Sequence, residues 1–393
     1  MRRAVREEKD KSRKINSKQI KKKLCVKLNK KHLITLIICI AIIGCIIVAN
    51  NYTTIGLVLN KNINSEDVVQ IELQTSDNKI IPYGNEILVY NKGKITSYNN
   101  YGKNTGEITL EDTVEAEILT SGQYIQVINK DKDVVYIYKN KYEVARIKIE
   151  GEIYSGNINK NGISVIEYSL NGNKTQLGIY NSSGEIKYNI KLSNSIIGKY
   201  VLSDDSKHLV YLDVNVSGIS ARTNVNWVDL SNIKEYEQNA KKIYTIDNCL
   251  AYDVYWAGNS IVVRFDDNYF LYNVSSNKKE MLPISDKQVV NIGDYNNRYA
   301  YILIDENGNY RLNIRKMTSD NIKEVTISEA PKYLKYENGI VYVCYAKRIE
   351  AYNNFGNNIK NYDSSMIITE PIVFNDGRSV VMAVSNKLIM FTI

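Results

Sequence analysis

The residues best suited to chemistry are three pairs of closely spaced aspartates. They are Asp131 and Asp133, Asp204 and Asp205, and Asp266 and Asp267. Paired carboxylates can serve glycoside hydrolysis or bind calcium through their oxygens. Each pair also falls in a segment typical of a hairpin turn, where Asp is favoured because its side chain accepts hydrogen bonds from the local backbone. A turn role is therefore the favoured interpretation, and a hydrolase that uses these acidic loops is the alternative.

Histidine, cysteine and nucleotide chemistry have little support in the sequence. The two histidines are His32, beside an apolar run, and His208, in a turn, so neither a metal cluster nor a catalytic triad can be assembled around them. Cys249 and Cys344 do not make a disulfide framework or a metal cluster, and their apolar surroundings favour buried thiols. No glycine-rich phosphate loop opens a helix. We therefore predict no catalytic residue, no metal and no cofactor.

The aromatic residues favour packing over chemistry. The chain has 31 tyrosines against 5 phenylalanines and 2 tryptophans, and many tyrosines occupy alternating positions of strand-like segments. Such positions are usually half buried, although a tyrosine-rich loop face could also bind a glycan or a peptide. The two tryptophans, Trp227 and Trp256, flank an irregular unit and could fill a wedge between sheets. The sequence does not identify the binding residues.

The apolar run from Leu33 to Ala49 divides the chain into a basic tail and a long body. It holds 17 residues without a charge, and as a helix it reaches about 26 Å, close to the roughly 30 Å of a hydrocarbon core. Lys30, Lys31 and His32 flank one side and Tyr52 the other, which suits the two membrane interfaces. We predict a basic tail at 1–32, a transmembrane helix at 33–50, a linker at 51–65 and an extracytoplasmic domain at 66–393.

Charge distribution predicts the orientation of that span. Residues 1–32 hold 14 Lys/Arg against 3 Asp/Glu, and basic residues beside a span stay on the cytoplasmic side. The tail would touch anionic lipid, whereas nucleic-acid binding lacks aromatic residues among the lysines or any folded module. Two alternatives to a permanent anchor remain open, a cleaved signal peptide and a lipidated cysteine in Ile42-Ile43-Gly44-Cys45.

The body is predicted to be all-β and repetitive. Strand-like alternation recurs between turns rich in Asn, Asp and Gly, and no window sustains a helical stripe. Eight units end in an apolar or aromatic residue at intervals of 38 to 48 residues. These residues are Tyr98, Tyr138, Tyr180, Val228, Tyr272, Ile314, Tyr352 and Phe391. The period is that of a four-stranded propeller blade, so eight blades are favoured and seven remain an alternative.

The two ends of the body predict how the ring closes. The chain stops two residues after Phe391, without the outer strand that follows the other units. A lone strand-like segment at Val68–Leu73 precedes the first unit. If this segment supplies the missing strand, no sheet edge is left open.

Short motifs resemble known propellers. Ser203–Tyr211 and Asn375–Val381 resemble turns of WD-repeat and TolB-like propellers, and Tyr180–Tyr188 is similar to the repeat of quinoprotein-like propellers. The overall plan resembles an uncharacterised family of single-pass, membrane-anchored propeller proteins of Gram-positive bacteria. The resemblance implies blades and says nothing of chemistry.

Together these features predict a cell-membrane protein with a non-catalytic binding or scaffold domain. Its partners would be the lipid bilayer and an envelope protein, a peptide or a cell-wall glycan, with no nucleic acid. The alternative is an extracytoplasmic hydrolase with acidic residues at the centre of the ring. A transmembrane sensor is a third option, but the tail holds no recognisable signalling domain.

Overall fold

The computed structural model describes most of the body of the chain. The described residues are 63, 68–73, 78–111, 115–170, 175–192, 195–203, 205–215, 217–218, 220–231, 240–257, 259–265, 268–283, 292–295, 298–305, 307–316, 321–374, 376–384 and 386–393. The predicted tail, the apolar run and its flanking residues Lys30, Lys31, His32 and Tyr52 lie outside them. Within the described part, no helix has the length and apolar character needed to cross a membrane.

Residues 60–393 form one compact unit of eight antiparallel four-stranded sheets, here called blades 1 to 8. The strand that closes the ring is β1 (Val69–Glu72). Blades 1 to 4 follow in chain order. Blade 1 holds β2 (Lys79–Tyr83), β3 (Glu86–Asn91), β4 (Lys94–Asn99) and β5 (Asn104–Thr109); blade 2 holds β6 (Glu117–Ser121), β7 (Tyr124–Asn129), β8 (Val134–Lys139) and β9 (Tyr142–Lys148); blade 3 holds β10 (Glu152–Ile158), β11 (Ser164–Ser169), β12 (Gln176–Tyr180) and β13 (Ile186–Lys191); blade 4 holds β14 (Ile196–Leu202), β15 (His208–Asn215), β16 (Arg222–Asp229) and β17 (Ala240–Asp247).

The remaining blades follow the same plan. Blade 5 holds β18 (Ala251–Ala257), β19 (Ser260–Phe265), β20 (Asn268–Asn273) and β21 (Lys278–Pro283); blade 6 holds β22 (Ile292–Tyr295), β23 (Arg298–Ile304), β24 (Tyr310–Lys316) and β25 (Ile322–Ile327); blade 7 holds β26 (Tyr333–Glu337), β27 (Ile340–Cys344), β28 (Arg348–Asn353) and β29 (Asn358–Asp363); blade 8 holds β30 (Ile372–Val373), β31 (Ser379–Val384) and β32 (Lys387–Thr392), completed by β1. A single-turn 3-10 helix, Lys130–Lys132, joins β7 to β8. The prediction of an eight-bladed all-β propeller is confirmed.

Local sequence explains the repeated hairpins. All eight unit-ending residues predicted from the sequence lie in the third strand of their blade. In blade 1 the next residue, Asn99, accepts hydrogen bonds through its side chain from the backbone N–H groups of Tyr101 and Lys103, each at 3.0 Å. Gly102 then takes a φ of 76°, a conformation that disfavours side chains. The Asn and Gly of these turns therefore fix where the fourth strand begins.

The ring closes through the N-terminal strand, as the sequence predicts. Strand β1 pairs antiparallel with β32, with Val69 opposite Met390 and Ile71 opposite Leu388. Its apolar side chains join the buried cluster that links blade 8 to blade 1. The Leu73 N–H donates to the Asn386 carbonyl at 2.8 Å. The outer edge of blade 8 is therefore occupied by residues from the opposite end of the chain.

The core lies between neighbouring blades, and tyrosines bridge them. The buried Tyr342 of blade 7 donates its hydroxyl to the Gly377 carbonyl of blade 8 at 2.5 Å. Tyr83 of blade 1 donates in the same way to the Gln123 carbonyl of blade 2 at 3.0 Å. A buried ring with a satisfied hydroxyl suits this position, which confirms the packing interpretation of the tyrosines.

The cysteine prediction is half right. Cys344 is free and fully buried in β27, where burial raises the pKa of its thiol. Cys249 is also free, but it lies in the connection from β17 to β18 and is only partly buried, so it was wrong to expect a buried strand residue there. Apolar neighbours in the sequence thus predicted burial correctly for Cys344, which lies within a strand, and incorrectly for Cys249, which lies in a connection.

Two faces follow from the topology. Connections between first and second strands and between third and fourth strands form one end, here called the lower face. Connections between second and third strands, and from one blade to the next, form the other end, the upper face. This division holds because the four strands of every blade run antiparallel in order.

Candidate functional site: the inner strands of the ring

The first strand of each blade borders the centre of the ring. Inner strands of neighbouring blades approach one another along the series β30, β2, β6, β10, β14 and β18, and again from β22 to β26. Several of these strands carry charged or tyrosine side chains that are exposed or half buried. Because they belong to different blades, such residues meet only when neighbouring blades pack together.

Strand β2 separates two cavities of nearly equal size. Its even-numbered residues, Ile80 and Pro82, line a cavity of about 500 Å³ shared with blades 7 and 8. Its odd-numbered residues, Lys79 and Ile81, line a cavity of about 510 Å³ shared with blade 2. The alternation of side chains along a strand sends successive residues to opposite sides, so one five-residue strand contributes to both cavities.

The cavity between blades 7, 8 and 1 combines an ion pair with an apolar wall. Lys335 of β26 pairs with Glu370, which lies in the connection to blade 8. Thr369 is fixed beside them because its hydroxyl donates to the Ala383 carbonyl at 2.9 Å and accepts from the Ala383 N–H at 3.0 Å. The opposite wall is formed by Ile80 and Pro82. This cavity therefore offers charged groups on one side and apolar surface on the other.

The cavity between blades 1 and 2 opens on the upper face and is more polar. Lys79 donates to the Ala116 carbonyl at 3.3 Å. Lys130 lies 3.3 Å from a carboxylate oxygen of Glu117 and donates to the Tyr154 carbonyl of blade 3 at 2.5 Å. Lys130 thus connects this cavity to the inner strand of the next blade.

Three side chains form a hydrogen-bonded chain across blades 3 and 4. The Ser155 hydroxyl donates to the Glu167 carboxylate at 2.8 Å and lies 2.7 Å from the Tyr200 hydroxyl. Burial raises the pKa of Glu167, although the Ser155 hydrogen bond and the charges of Lys199 and Lys130 oppose that change. The pKa values of Glu107, Asp205 and Asp376 are shifted in the opposite direction, below their usual values. Glu167 holds its proton to a higher pH than an exposed glutamate does.

One protein-family model matches most of the chain. The model of a family of unknown function, DUF5711, matches residues 59–391, which is almost the whole propeller. The chain belongs to the DUF5711 family. No curated protein matches it in sequence.

Solved structures show that the DUF5711 fold is shared with other propellers. The Dos1 propeller is 11% identical to this chain and superposes with a TM-score of 0.55. The match covers 82% of this chain and 93% of the Dos1 propeller. The WD40 domain of SCAP from fission yeast is 8% identical, with coverages of 84% and 95% and a TM-score of 0.54. A eukaryotic initiation factor is 11% identical, and the match covers 78% of this chain and 81% of the factor, with a TM-score of 0.53. At these identities the likeness establishes the propeller fold alone.

The acidic pairs predicted from the sequence are turn residues wherever the DUF5711 structure describes them. Burial would raise the pKa of Asp205, but hydrogen bonds from the Ser203 hydroxyl and the Lys207 N–H, with the charges of His208 and Lys207, hold it below its usual value. Asp131 lies in the 3-10 turn, and Asp133 ends it in the left-handed conformation. The turn interpretation is confirmed for these three residues.

The other predicted aspartates, Asp204, Asp266 and Asp267, lie outside the described residues. Among the described members of the pairs, Asp205 lies in the β14–β15 turn of the lower face, and Asp131 and Asp133 lie in the β7–β8 turn of the upper face. These three residues therefore do not meet at the centre of the ring. The described part of the chain holds no group of three His, Cys, Asp or Glu side chains placed to bind a metal.

His208 and the two tryptophans meet at the contact of blades 4 and 5. The His208 ring lies 5.0 Å from the Trp227 ring and 6.0 Å from the Trp256 ring. The indole N–H of Trp256 donates to the Val201 carbonyl at 3.4 Å, and both tryptophans pack on the apolar cluster shared by the two blades. The wedge-filling interpretation is confirmed, and His208 is part of that packing.

Sequence reasoning missed Glu167, Lys130 and Tyr200. Ser155 and Tyr200 are 45 residues apart, so their contact depends on the placement of two blades. One signal was available. Glu167 interrupts a strand of otherwise apolar and small residues, Ser164–Ser169, where a carboxylate needs a partner.

Proposed function

We propose that this DUF5711 protein is a membrane-anchored, extracytoplasmic binding or scaffold module without catalytic activity. Residues 33–50 would span the membrane, residues 1–32 would lie in the cytoplasm, and the propeller would be displayed outside. The uncharged run and the 14 basic residues of the tail support this orientation. The resemblance to single-pass propellers of Gram-positive bacteria agrees with a place at the cell membrane.

The observation that carries the binding role is the pair of cavities on either side of β2. Each is close to 500 Å³, within the range that holds several residues of a polymer or a small ligand. Their walls combine partly exposed ion pairs with apolar surface, as at Lys335, Glu370 and Ile80. Such a lining suits an extended chain that alternates polar and apolar groups. An envelope protein segment, a peptide and a cell-wall glycan all have this character.

A second candidate function, hydrolysis, is favoured by one observation, the raised pKa of Glu167. A carboxyl that keeps its proton can act as a general acid. In the structure that carboxyl accepts a hydrogen bond from Ser155, whose hydroxyl also bonds to the Tyr200 hydroxyl, and this suits a structural hydrogen-bond network as well. We favour binding because the cavities offer a lined volume, whereas the described acidic residues Asp131 and Asp205 lie on opposite faces.

Photo-crosslinking in intact cells tests the binding role. A benzophenone amino acid placed at Asp131 or Glu370 would lie at the two cavities, where both side chains are exposed. The matched controls are Glu143 and Asp363, exposed carboxylates on the outer strands of blades 2 and 7. We expect discrete adducts at the two cavity positions and none at the controls.

The chemistry of the adduct identifies the partner. An adduct that shifts on muramidase digestion contains wall glycan, and one that shifts only on protease digestion contains protein or peptide. Equal yields at Asp131, Glu370 and the two outer positions would contradict a binding role for the cavities. If adducts form and the Glu167→Gln variant shows the same yield, the Glu167 carboxyl is not needed for capture.

A further inference from the structure

Two turns of the lower face present exposed aromatic rings in the same conformation. Tyr101 in blade 1 is 78% exposed and Phe355 in blade 7 is 71% exposed. In both turns an asparagine side chain, Asn99 or Asn353, accepts hydrogen bonds from the backbone N–H groups two and four residues later. The corresponding turn of blade 3 has the same hydrogen bonds but carries Ser183 in place of the ring. The fold therefore does not require an aromatic residue at this position.

These two blades flank the point at which the chain enters the propeller. Strand β1 begins at Val69, opposite Met390, and so starts at the lower face of blade 8. A Cβ added to Gly102 would lie 2.7 Å from the Val69 side chain, which places the Tyr101 turn directly beside that start. On the other side, the Ile63 N–H donates to the Asn361 carbonyl of β29, the strand that follows the Phe355 turn. The described residues Ile63 and Val69 therefore lie on the blades that carry the two aromatic turns and on the blade between them.

The aromatic series continues into blade 2. Tyr142 begins β9 directly after the turn between third and fourth strands, and it is 78% exposed. Phe355, Tyr101 and Tyr142 therefore lie on blades 7, 1 and 2, all on the lower face. We call these three residues the aromatic rim.

Charge differs between the described connections of the two faces. Among the described connections of the lower face, cations outnumber carboxylates; the cations are Lys103, Lys141, Lys160, Lys207 and Arg378, and the carboxylates are Glu185, Asp205 and Asp376. Among those of the upper face the balance is reversed; the carboxylates are Glu111, Glu115, Asp131, Asp133, Glu150, Asp305, Glu329 and Glu370, and the cations are Lys92, Lys130, Lys132, Lys332 and Lys347. An anionic membrane repels the acidic described connections of the upper face more strongly than it repels those of the lower face.

We propose that the aromatic rim rests in the headgroup layer of the membrane that the chain crosses, so that the lower face points to lipid and the upper face points away. This inference rests on the proposed membrane anchor. Tyrosine and phenylalanine partition to the membrane interface, where the ring contacts acyl chains and a neighbouring lysine can reach phosphate. The 15 residues of the 51–65 linker extend to at most about 50 Å, which keeps the lower face within reach of the bilayer.

Fluorescence quenching by lipid tests the inference on the full chain. The chain is reconstituted into phosphatidylglycerol/phosphatidylcholine vesicles whose acyl chains carry bromine, which quenches tryptophan only at close range. The variants are Tyr101→Trp and Phe355→Trp. The matched control is Tyr252→Trp, at the upper end of blade 5, where Tyr252 is 54% exposed. The wild-type signal of Trp227 and Trp256 is subtracted.

We expect at least threefold stronger quenching in the Tyr101→Trp and Phe355→Trp variants than in the Tyr252→Trp variant. We also expect the quenching to fall when phosphatidylglycerol is left out. If the protein floats with the vesicles but quenching is equal at all three positions, the inference is wrong and the anchor stands. If the wild-type chain does not float with the vesicles, the proposed anchor fails first, and the inference falls with it.

Discussion

The Ile71→Asp substitution is expected to lower the free energy of unfolding by about 3 kcal/mol, through loss of apolar burial and desolvation of a carboxylate. Ile71 lies opposite Leu388 in the pairing of β1 with β32. It packs in the cluster that contains the fully buried Leu388 and Val381 and joins blade 8 to blade 1. A charge at this point weakens the contact that closes the ring.

The neighbouring residue supplies the control for this prediction. Gln70 lies on the same strand but points to solvent, so Gln70→Asp is expected to change the free energy of unfolding by less than about 0.5 kcal/mol. Denaturant unfolding of the full chain in detergent, followed by tryptophan fluorescence, measures both variants. Trp227 and Trp256 report from blades 4 and 5, on the opposite side of the ring. Equal stability of the two variants would show that β1 does not hold the ring closed.

The Glu280→Ala substitution is expected to lower the free energy of unfolding by about 3 kcal/mol, because it removes a carboxylate from the mostly buried Arg315 guanidinium. Glu280 of blade 5 lies 2.7 Å from Arg315 of blade 6, and the two side chains are only 15% and 12% exposed. The Arg315 guanidinium also lies 5.9 Å from the centre of the Tyr299 ring. The pair therefore joins two blades at a position with little access to water.

A double variant distinguishes the effect on stability of losing both charges from the effect of losing only one. Glu280→Met with Arg315→Met removes both charges together and should be less destabilising than Glu280→Ala, which removes only the carboxylate. Asp247→Ala removes one partner of the pair with Arg222, whose side chains are more than half exposed, and is expected to cost less than about 1 kcal/mol. The same denaturant measurement applies to all three. A loss in the double variant as large as in Glu280→Ala would mean that packing, and not charge, joins the blades.

The fold was predictable because its determinants are local. In blades 1, 3 and 7 the third strand ends at a turn in which an asparagine side chain accepts backbone hydrogen bonds. The residues before those turns, Tyr98, Tyr180 and Tyr352, belong to the series that repeats every 38 to 48 residues in the sequence. Closure was also predictable, since the last unit lacked an outer strand and Val68–Leu73 was a strand without a sheet. The 48-residue interval before Val228, which left seven blades as an alternative, includes the two eight-residue strands β15 and β16.

The candidate site was not predictable, because its residues meet across blades. Lys130 reaches the Tyr154 carbonyl of the next blade, and β2 contributes to two cavities from a strand of five residues without a motif. The sequence drew attention to aspartate pairs instead, and their described members lie in turns, where the Asp205 side chain accepts a hydrogen bond from the Lys207 N–H. Local patterns thus predicted hairpins, while the cavities depend on how the inner strands approach one another around the ring.

Surface labelling of the full-length chain in cells tests the membrane-anchored orientation most directly. A membrane-impermeant amine reagent is applied to intact wall-stripped cells, and the modified lysines are identified by peptide mass mapping. We predict modification of Lys92, Lys187 and Lys347, which are exposed on the propeller, and modification of the lysines within residues 1–31 only after the membrane is permeabilised. Modification of the tail lysines in intact cells, with the three propeller lysines protected, would contradict the proposed orientation.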